Sequence, residues 1–185
     1  MTFLTKIDIE NYTPNLTDAI IANQNMEGNP EDLSLRKLFK ELCPTNTTIE
    51  DILIKCTTLN KLYSTNIYQI LPVAEHILQL NIDARLRSGD ITLVEDIANV
   101  TTLNKRYYSF ATKYCAMHEP NLFSIYDSNV HKVLMHYYKQ KFTYNCLRDY
   151  KSYYHALRMF KKDYHLETLT LWELDKYLWQ LGNKF

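Results

Sequence analysis

The chain has 185 residues, of which 46% are apolar and 23% charged, the composition of a single globular domain. Only three glycines occur, which argues against β-sandwiches and barrels, whose turns use many glycines, and excludes any glycine-rich phosphate loop. The formal net charge of zero hides an asymmetry, because residues 1–100 carry a balance of −6 and residues 101–165 one of +7.

Helix signals follow one another along the chain and predict an all-α, compact multi-helix fold. Asn29-Pro30 supplies a cap and a first-turn proline, and Thr47-Thr48-Ile49-Glu50 has the pattern of a capping box. Asp127 is placed to cap a later helix, and Gly182 fits the position just past the last one. The predicted helices cover residues 30–43, 48–62, 71–80, 91–100, 105–118, 128–141, 147–164 and 170–181.

The organisation predicted is one helical domain over residues 1–185, in which residues 1–28 are either a loose arm or a packed short helix. No apolar run approaches the ~18 residues of a membrane span, and no secretory signal is visible, so a cytoplasmic location is expected. The four cysteines are far apart in the sequence and are expected to be reduced thiols in the core. His131 and His136 are five residues apart, which does not suit a metal pair, so no metal or cofactor is expected.

The basic segment 101–165 also holds eleven of the fifteen tyrosines. Cations mixed with aromatic rings suit a nucleic-acid surface, where phosphates are neutralised and bases stack. The plain alternative is a helical layer with half-buried tyrosines and lysines whose ammonium groups reach the solvent. The oligomeric state has no signal in the sequence.

Lys113 and Asp127 are the candidate catalytic residues. Lys113 lies in a largely apolar and aromatic helix, where burial disfavours the charged ammonium and favours a nucleophilic amine. After a loop containing Pro120, Asp127 stands at the start of the next helix, where its carboxylate is able to stabilise a developing cationic sugar. The ordinary alternative is a solvent-facing lysine and a simple helix cap.

At these residues the sequence resembles the helix-hairpin-helix DNA glycosylase superfamily, specifically bacterial proteins similar to 8-oxoguanine DNA glycosylase. The similarity lies in Ala111-Thr112-Lys113, Pro120 and Ile125-Tyr126-Asp127-Ser128-Asn129-Val130. It extends to the C-terminal stretch 169–179 and the segment 60–67, and is scattered over about residues 55–181. The resemblance implies a DNA-binding protein that excises a damaged base through a lysine Schiff base.

The resemblance assigns the nucleophilic lysine to Lys113 and the aspartate to Asp127. Two departures stand against it: the hairpin stretch 98–106 contains no glycine, and the interval from lysine to aspartate is short. Glycine allows a positive φ and a close approach to phosphate, so its absence predicts a missing or rebuilt phosphate grip. Side chains expected to contact DNA instead are Lys105, Arg106, Tyr107, Tyr108 and Tyr126. The alternative is a catalytically inactive relative that binds nucleic acid or a protein.

Overall fold

A computed structural model of the chain describes residues 9–184 and shows an all-α fold. Within that range the helices are α1 (Leu16–Asn25), α2 (Pro30–Lys37), α3 (Ile49–Leu62), α4 (Ile70–Leu80), α5 (Asp83–Ser88), α6 (Leu93–Ala98), α7 (Tyr108–His118), α8 (Ser128–Tyr138), α9 (Tyr150–Asp163) and α10 (Leu171–Gly182). A π-helical turn, Leu38–Leu42, prolongs α2. The two short strands β1 (Asn99–Val100) and β2 (Lys105–Arg106) pair antiparallel.

The predicted helices correspond to observed ones, and the caps explain where several of them begin. The Asn29 side chain accepts a hydrogen bond from the Glu31 amide at the start of α2. Thr170 and Glu173 form a reciprocal capping box at the start of α10. Both arrangements pair amide groups that have no partner inside the helix.

Other boundaries differ from the prediction. The helix expected over 91–100 is shorter, and the one expected over 105–118 begins at Tyr108, because residues 99–106 form the β-hairpin instead. The cap of α3 is Thr48, whose hydroxyl accepts from the amide of Asp51, so the helix is capped one residue after the predicted Thr47. Helix α5 was not predicted, because it has only six residues. Helix α1 lies in the segment 1–28, for which a packed short helix was one of the two alternatives.

Residues 28–123 make up one compact unit, called here the central unit. In it, α3 packs on α4 and α7, α6 packs on α7, and α2 packs on α3. Its core is formed by side chains that are almost fully buried, among them Leu35, Phe39, Ile52, Leu59, Val73, Ile77, Val94, Ile97 and Tyr114. Every residue of α7 except Ser109 is buried, which agrees with its largely apolar and aromatic sequence.

A second compact unit, the terminal unit, comprises the described residues of segments 1–27 and 124–185. Here α10 packs on both α8 and α1, and α9 packs on α8. Part of the first 28 residues is therefore a packed helix: the Asn23 amide donates to the Glu173 carbonyl at 3.0 Å, and the Gln180 amide to the Ala22 carbonyl at 2.7 Å. Residues 1–8 lie outside the described part of the chain.

The single-domain prediction stays a prediction, because two compact units are compatible with one domain or with two. Across residues 9–184, each helix is too short or too polar to cross a lipid bilayer.

Gly182 is the last residue of α10, and not the residue after it as the sequence suggested. A methyl group at this position would lie 2.3 Å from the carbonyl oxygen of Asn129 in α8, well inside van der Waals contact. Glycine is therefore needed for the close approach of α10 to the start of α8.

We expect Gly182→Ala to lower the free energy of unfolding by about 1–3 kcal/mol, because the backbone of α8 has to move. In a helix with open space around the glycine, the same change would stabilise the protein by up to ~1 kcal/mol. The sign of the change in the free energy of unfolding therefore shows whether Asn129 leaves room for a methyl group. Urea denaturation measures it, with Gly28→Ala as the control: Gly28 has open space around it but φ of +80°, so only backbone strain applies. A more stable Gly182→Ala protein would contradict the packing.

Candidate functional site

A short β-hairpin connects α6 with α7. β1 and β2 pair with Asn99 opposite Arg106 and Val100 opposite Lys105, and a 3₁₀ turn over Thr101–Leu103 joins them. Asn104 closes the turn in the left-handed region, with φ of 49°. Asparagine is one of the few residues besides glycine that adopts this conformation readily, so the hairpin forms without glycine.

The hairpin side chains differ in what they contact. The Arg106 guanidinium makes a forked ion pair with Glu95 of α6, with N–O distances of 2.8–3.1 Å, and also stacks 4.2 Å from the ring centroid of Tyr108. The Tyr108 ring is only 6% exposed, and Tyr107 is half-buried. Lys105 is exposed, and no side chain in residues 9–184 forms a salt bridge with it. It is therefore the hairpin cation best placed for an external anion.

Lys113 is buried in α7, with 5% of its surface exposed. Its Nζ donates to the Ser109 hydroxyl, one helical turn earlier, at 2.7 Å, and lies 5.5 Å from the ring centroid of Tyr63. The Tyr63 hydroxyl donates in turn to Asp32 at 2.9 Å. The amine thus points into the central unit, which excludes the solvent-facing alternative.

Asp127 and Tyr126 belong to the terminal unit. Asp127 caps α8 as predicted, since its carboxylate accepts from the Asn129 amide at 2.8 Å. The Tyr126 hydroxyl is 2.9 Å from Nδ1 of His131, and its ring packs edge-on against Tyr153. The Tyr126 ring therefore has aromatic and polar neighbours within its own unit.

The central unit also contains a buried polar network centred on Asn46. Its side-chain amide donates to a carboxylate oxygen of Asp83 at 2.6 Å, and its backbone amide to the other oxygen at 3.0 Å. Its Oδ1 accepts from Lys55 Nζ at 2.7 Å and from the Tyr114 hydroxyl at 2.5 Å. Nε2 of His118 lies 3.2 Å from the Asn46 amide and 3.3 Å from Lys55 Nζ.

Burial sets the electrostatics of this network. Desolvation lowers the pKa of Lys55 to about 8, against the opposing attraction of Asp83. Burial, with the nearby charges of Lys55 and Lys40, also holds the pKa of His118 well below its usual value, so the imidazole is neutral and accepts a hydrogen bond. The network joins the loop before α3 with α3, α5 and α7, and so fixes the C-terminal end of the helix that carries Lys113.

Sequence reasoning missed this network, although one signal was present. Lys55 falls on the apolar stripe of α3, in register with Ile52, Cys56 and Leu59, where a lysine must be buried. Asn46, Asp83 and His118 are far apart in sequence, so their pattern gives no hint of a common site.

The cysteine side chains are reduced, as the sequence predicted: Cys43, Cys56 and Cys115 are buried, and Cys146 is partly so. Burial raises the pKa of Cys56 to about 12 and raises that of Cys115 as well, which keeps both thiols protonated and poorly nucleophilic. Within residues 9–184, no cluster of three His, Cys, Asp or Glu side chains is arranged to hold a metal ion.

Comparison with known proteins matches residues 10–122 to the family HI_0787_N, described as an N-terminal domain. A protein of Haemophilus influenzae, described as an uncharacterized protein, is 44% identical over 144 residues, which cover 75% of this chain and 70% of that protein. No solved structure matches significantly. The family segment ends next to Phe123, the last residue of the central unit, and so includes the hairpin, Lys113 and the Asn46 network. The chain therefore belongs to the HI_0787_N family.

Proposed function

We propose that this protein binds DNA through the hairpin between α6 and α7 and excises a damaged or modified base by attack of Lys113. The observation that carries the proposal is the β-hairpin between α6 and α7, with left-handed Asn104 in the turn and exposed Lys105 beside it. A tight turn of this kind brings backbone amides and a cation to one edge, where a DNA phosphate binds.

The burial of Lys113 supports the catalytic part of the proposal. In the reaction, Nζ of the neutral amine attacks the sugar C1′ of an extruded nucleotide, and the N-glycosidic bond breaks. The base leaves with the bonding electron pair and takes up the proton that the attached amine loses. The nitrogen lone pair then expels the ring oxygen from C1′, this oxygen takes a proton from water, and a protonated Schiff base joins Lys113 to the opened sugar. The Ser109 hydroxyl, 2.7 Å from Nζ, keeps the amine in one orientation. By the resemblance, Asp127 would stabilise the charge that develops on the sugar.

A catalytically inactive binding protein is the second candidate, and the contacts of Arg106 favour it. Its guanidinium is engaged with Glu95 and covers a face of Tyr108, so two of the side chains predicted to contact DNA are occupied within the central unit. An inactive relative would bind DNA or a protein and give no Schiff base with any lesion.

Lys105→Ala is the test of the hairpin. We expect it to weaken duplex DNA binding and to make the plot of log affinity against log salt less steep by about 0.9, since one phosphate contact is lost. Fluorescence anisotropy with a short duplex at several salt concentrations measures both effects. Lys61→Ala, an exposed lysine at the end of α3, is the matched control and should leave the slope unchanged.

An unchanged slope for Lys105→Ala would rule out the hairpin as the phosphate site. Absence of duplex binding by the unmodified protein at low salt would remove the proposed function altogether.

A further inference from the structure

The loop between α8 and α9 exposes an aromatic ring that rests on a buried one. Tyr144 is 59% exposed, and its ring centroid lies 4.3 Å from that of His131, with 40° between the planes. His131 is only 2% exposed and is fixed by its contact with the Tyr126 hydroxyl. Tyr144 is therefore held against a rigid support while much of its surface faces the solvent.

Three cationic side chains lie within five residues of Tyr144 in the sequence. Lys139, Lys141 and Arg148 are all exposed. Burial lowers the pKa of His131, and the positive charge of Arg148 lowers it further, so this cation acts on the ring that supports Tyr144. The acid nearest in sequence, Asp149, is engaged in capping α9 through the amide of Ser152.

The stack is not explained by stability alone. Nε2 of His131 is buried, and no group in the described part of the chain forms a hydrogen bond with it. A buried nitrogen without a partner costs about 1–3 kcal/mol, which a phenylalanine or leucine at this position would avoid. Features that reduce stability in this way are concentrated at functional sites.

We infer that Tyr144, supported by His131, is a stacking platform for an unpaired base of a single DNA strand, with Lys141 and Arg148 neutralising the adjoining phosphates. This inference rests on the proposed DNA binding and adds a second contact surface, in the terminal unit, that the hairpin does not provide. An aromatic face held rigid loses little entropy on stacking, and bases of every type stack on it.

The test compares two probes with the same phosphates: a twelve-nucleotide strand of thymidines, and a strand of equal length built from base-free abasic units. We expect the protein to prefer the thymidine strand by about tenfold, and Tyr144→Ala to lose about five- to a hundredfold in affinity for it, the range measured for loss of one stacked base. Tyr144→Phe, which keeps the ring, should bind within about twofold of the unmodified protein.

Tyr68→Ala is the matched control, because Tyr68 is 96% exposed but has no charged residue within six positions on either side in the sequence. The inference predicts no change for it. Stacking carries no counterion release, so Tyr144→Ala should also leave the salt slope unchanged, whereas Arg148→Ala should reduce it.

Equal binding of the two strands, or equal affinity of Tyr144→Ala and the unmodified protein, would overturn the platform. These outcomes are distinguishable from a failure of the proposed phosphate site in the hairpin. Lys105→Ala is tested by its binding to duplex DNA, whereas Tyr144→Ala is tested by its binding to single strands.

Discussion

Lys113→Gln should abolish the covalent adduct that borohydride traps between this protein and DNA containing a damaged base or an abasic site. Borohydride reduces the Schiff base to a stable secondary amine, and a glutamine amide cannot form the Schiff base. The adduct is measured as a slower band in denaturing gel electrophoresis and is expected to fall to background. Binding should stay within about twofold, and stability should fall by about 0.5–1.5 kcal/mol with loss of the bond to Ser109.

Lys55 is a second buried lysine, so the residue that carries the adduct has to be identified by peptide mapping. Burial lowers its pKa to about 8, so a larger fraction of it is neutral at physiological pH than of an ordinary lysine. It is nevertheless fully buried and donates to both Thr45 and Asn46. We therefore expect peptide mapping to find the sugar on Lys113. An adduct that persists in Lys113→Gln would refute the assignment, and no adduct with any lesion would favour the inactive relative.

Asp127→Asn separates charge from capping in the same assay. Asparagine caps a helix as well as aspartate does, so the stability of α8 should hold, whereas the carboxylate charge is lost. Slower excision at unchanged stability would support a role for the charge. If neither the excision rate nor the stability changes, the role of Asp127 is limited to capping α8 through the Asn129 amide.

The fold was predictable from local signals, because caps and apolar stripes act within a few residues. Thr170 and Glu173 fixed the start of α10 in this way. The start of α7 was misplaced because Lys105 and Arg106 have good helix propensity, and the pairing of Val100 with Lys105 overrides it. Propensity is a weak term next to hydrogen bonds formed with another segment.

The candidate site was less predictable than the fold. The sequence suggested that Lys113 is buried, since its neighbours in α7 are apolar, but its contact with Tyr63 depends on the packing of α3 against α7. The Asn104 turn could be anticipated only by treating asparagine as a substitute for glycine. The ion pair of Arg106 with Glu95 joins residues eleven apart, a spacing that only the hairpin brings together.

Of the substitutions proposed in the central unit, Asn46→Ala should lower the free energy of unfolding the most. It leaves the Lys55 amine, the Asp83 carboxylate and the Tyr114 hydroxyl without their common partner, in a site that is largely closed to water. Breaking a buried polar or ionic network by removing one member costs about 3–5 kcal/mol. At roughly 2–4 °C per kcal/mol for a chain of this size, the melting temperature should fall by about 10 °C.

Asn121→Ala, in an exposed turn after α7, is the matched control and should change stability by less than about 0.5 kcal/mol. A double-mutant cycle with Lys55→Met then tests whether the network acts as a unit. Once Asn46 is gone, Lys55 has lost its bond to Oδ1, so the second change should cost less than it does alone. Additive costs, or an Asn46→Ala protein within 1 kcal/mol of the original, would show that Asn46 does not hold α3, α5 and α7 together.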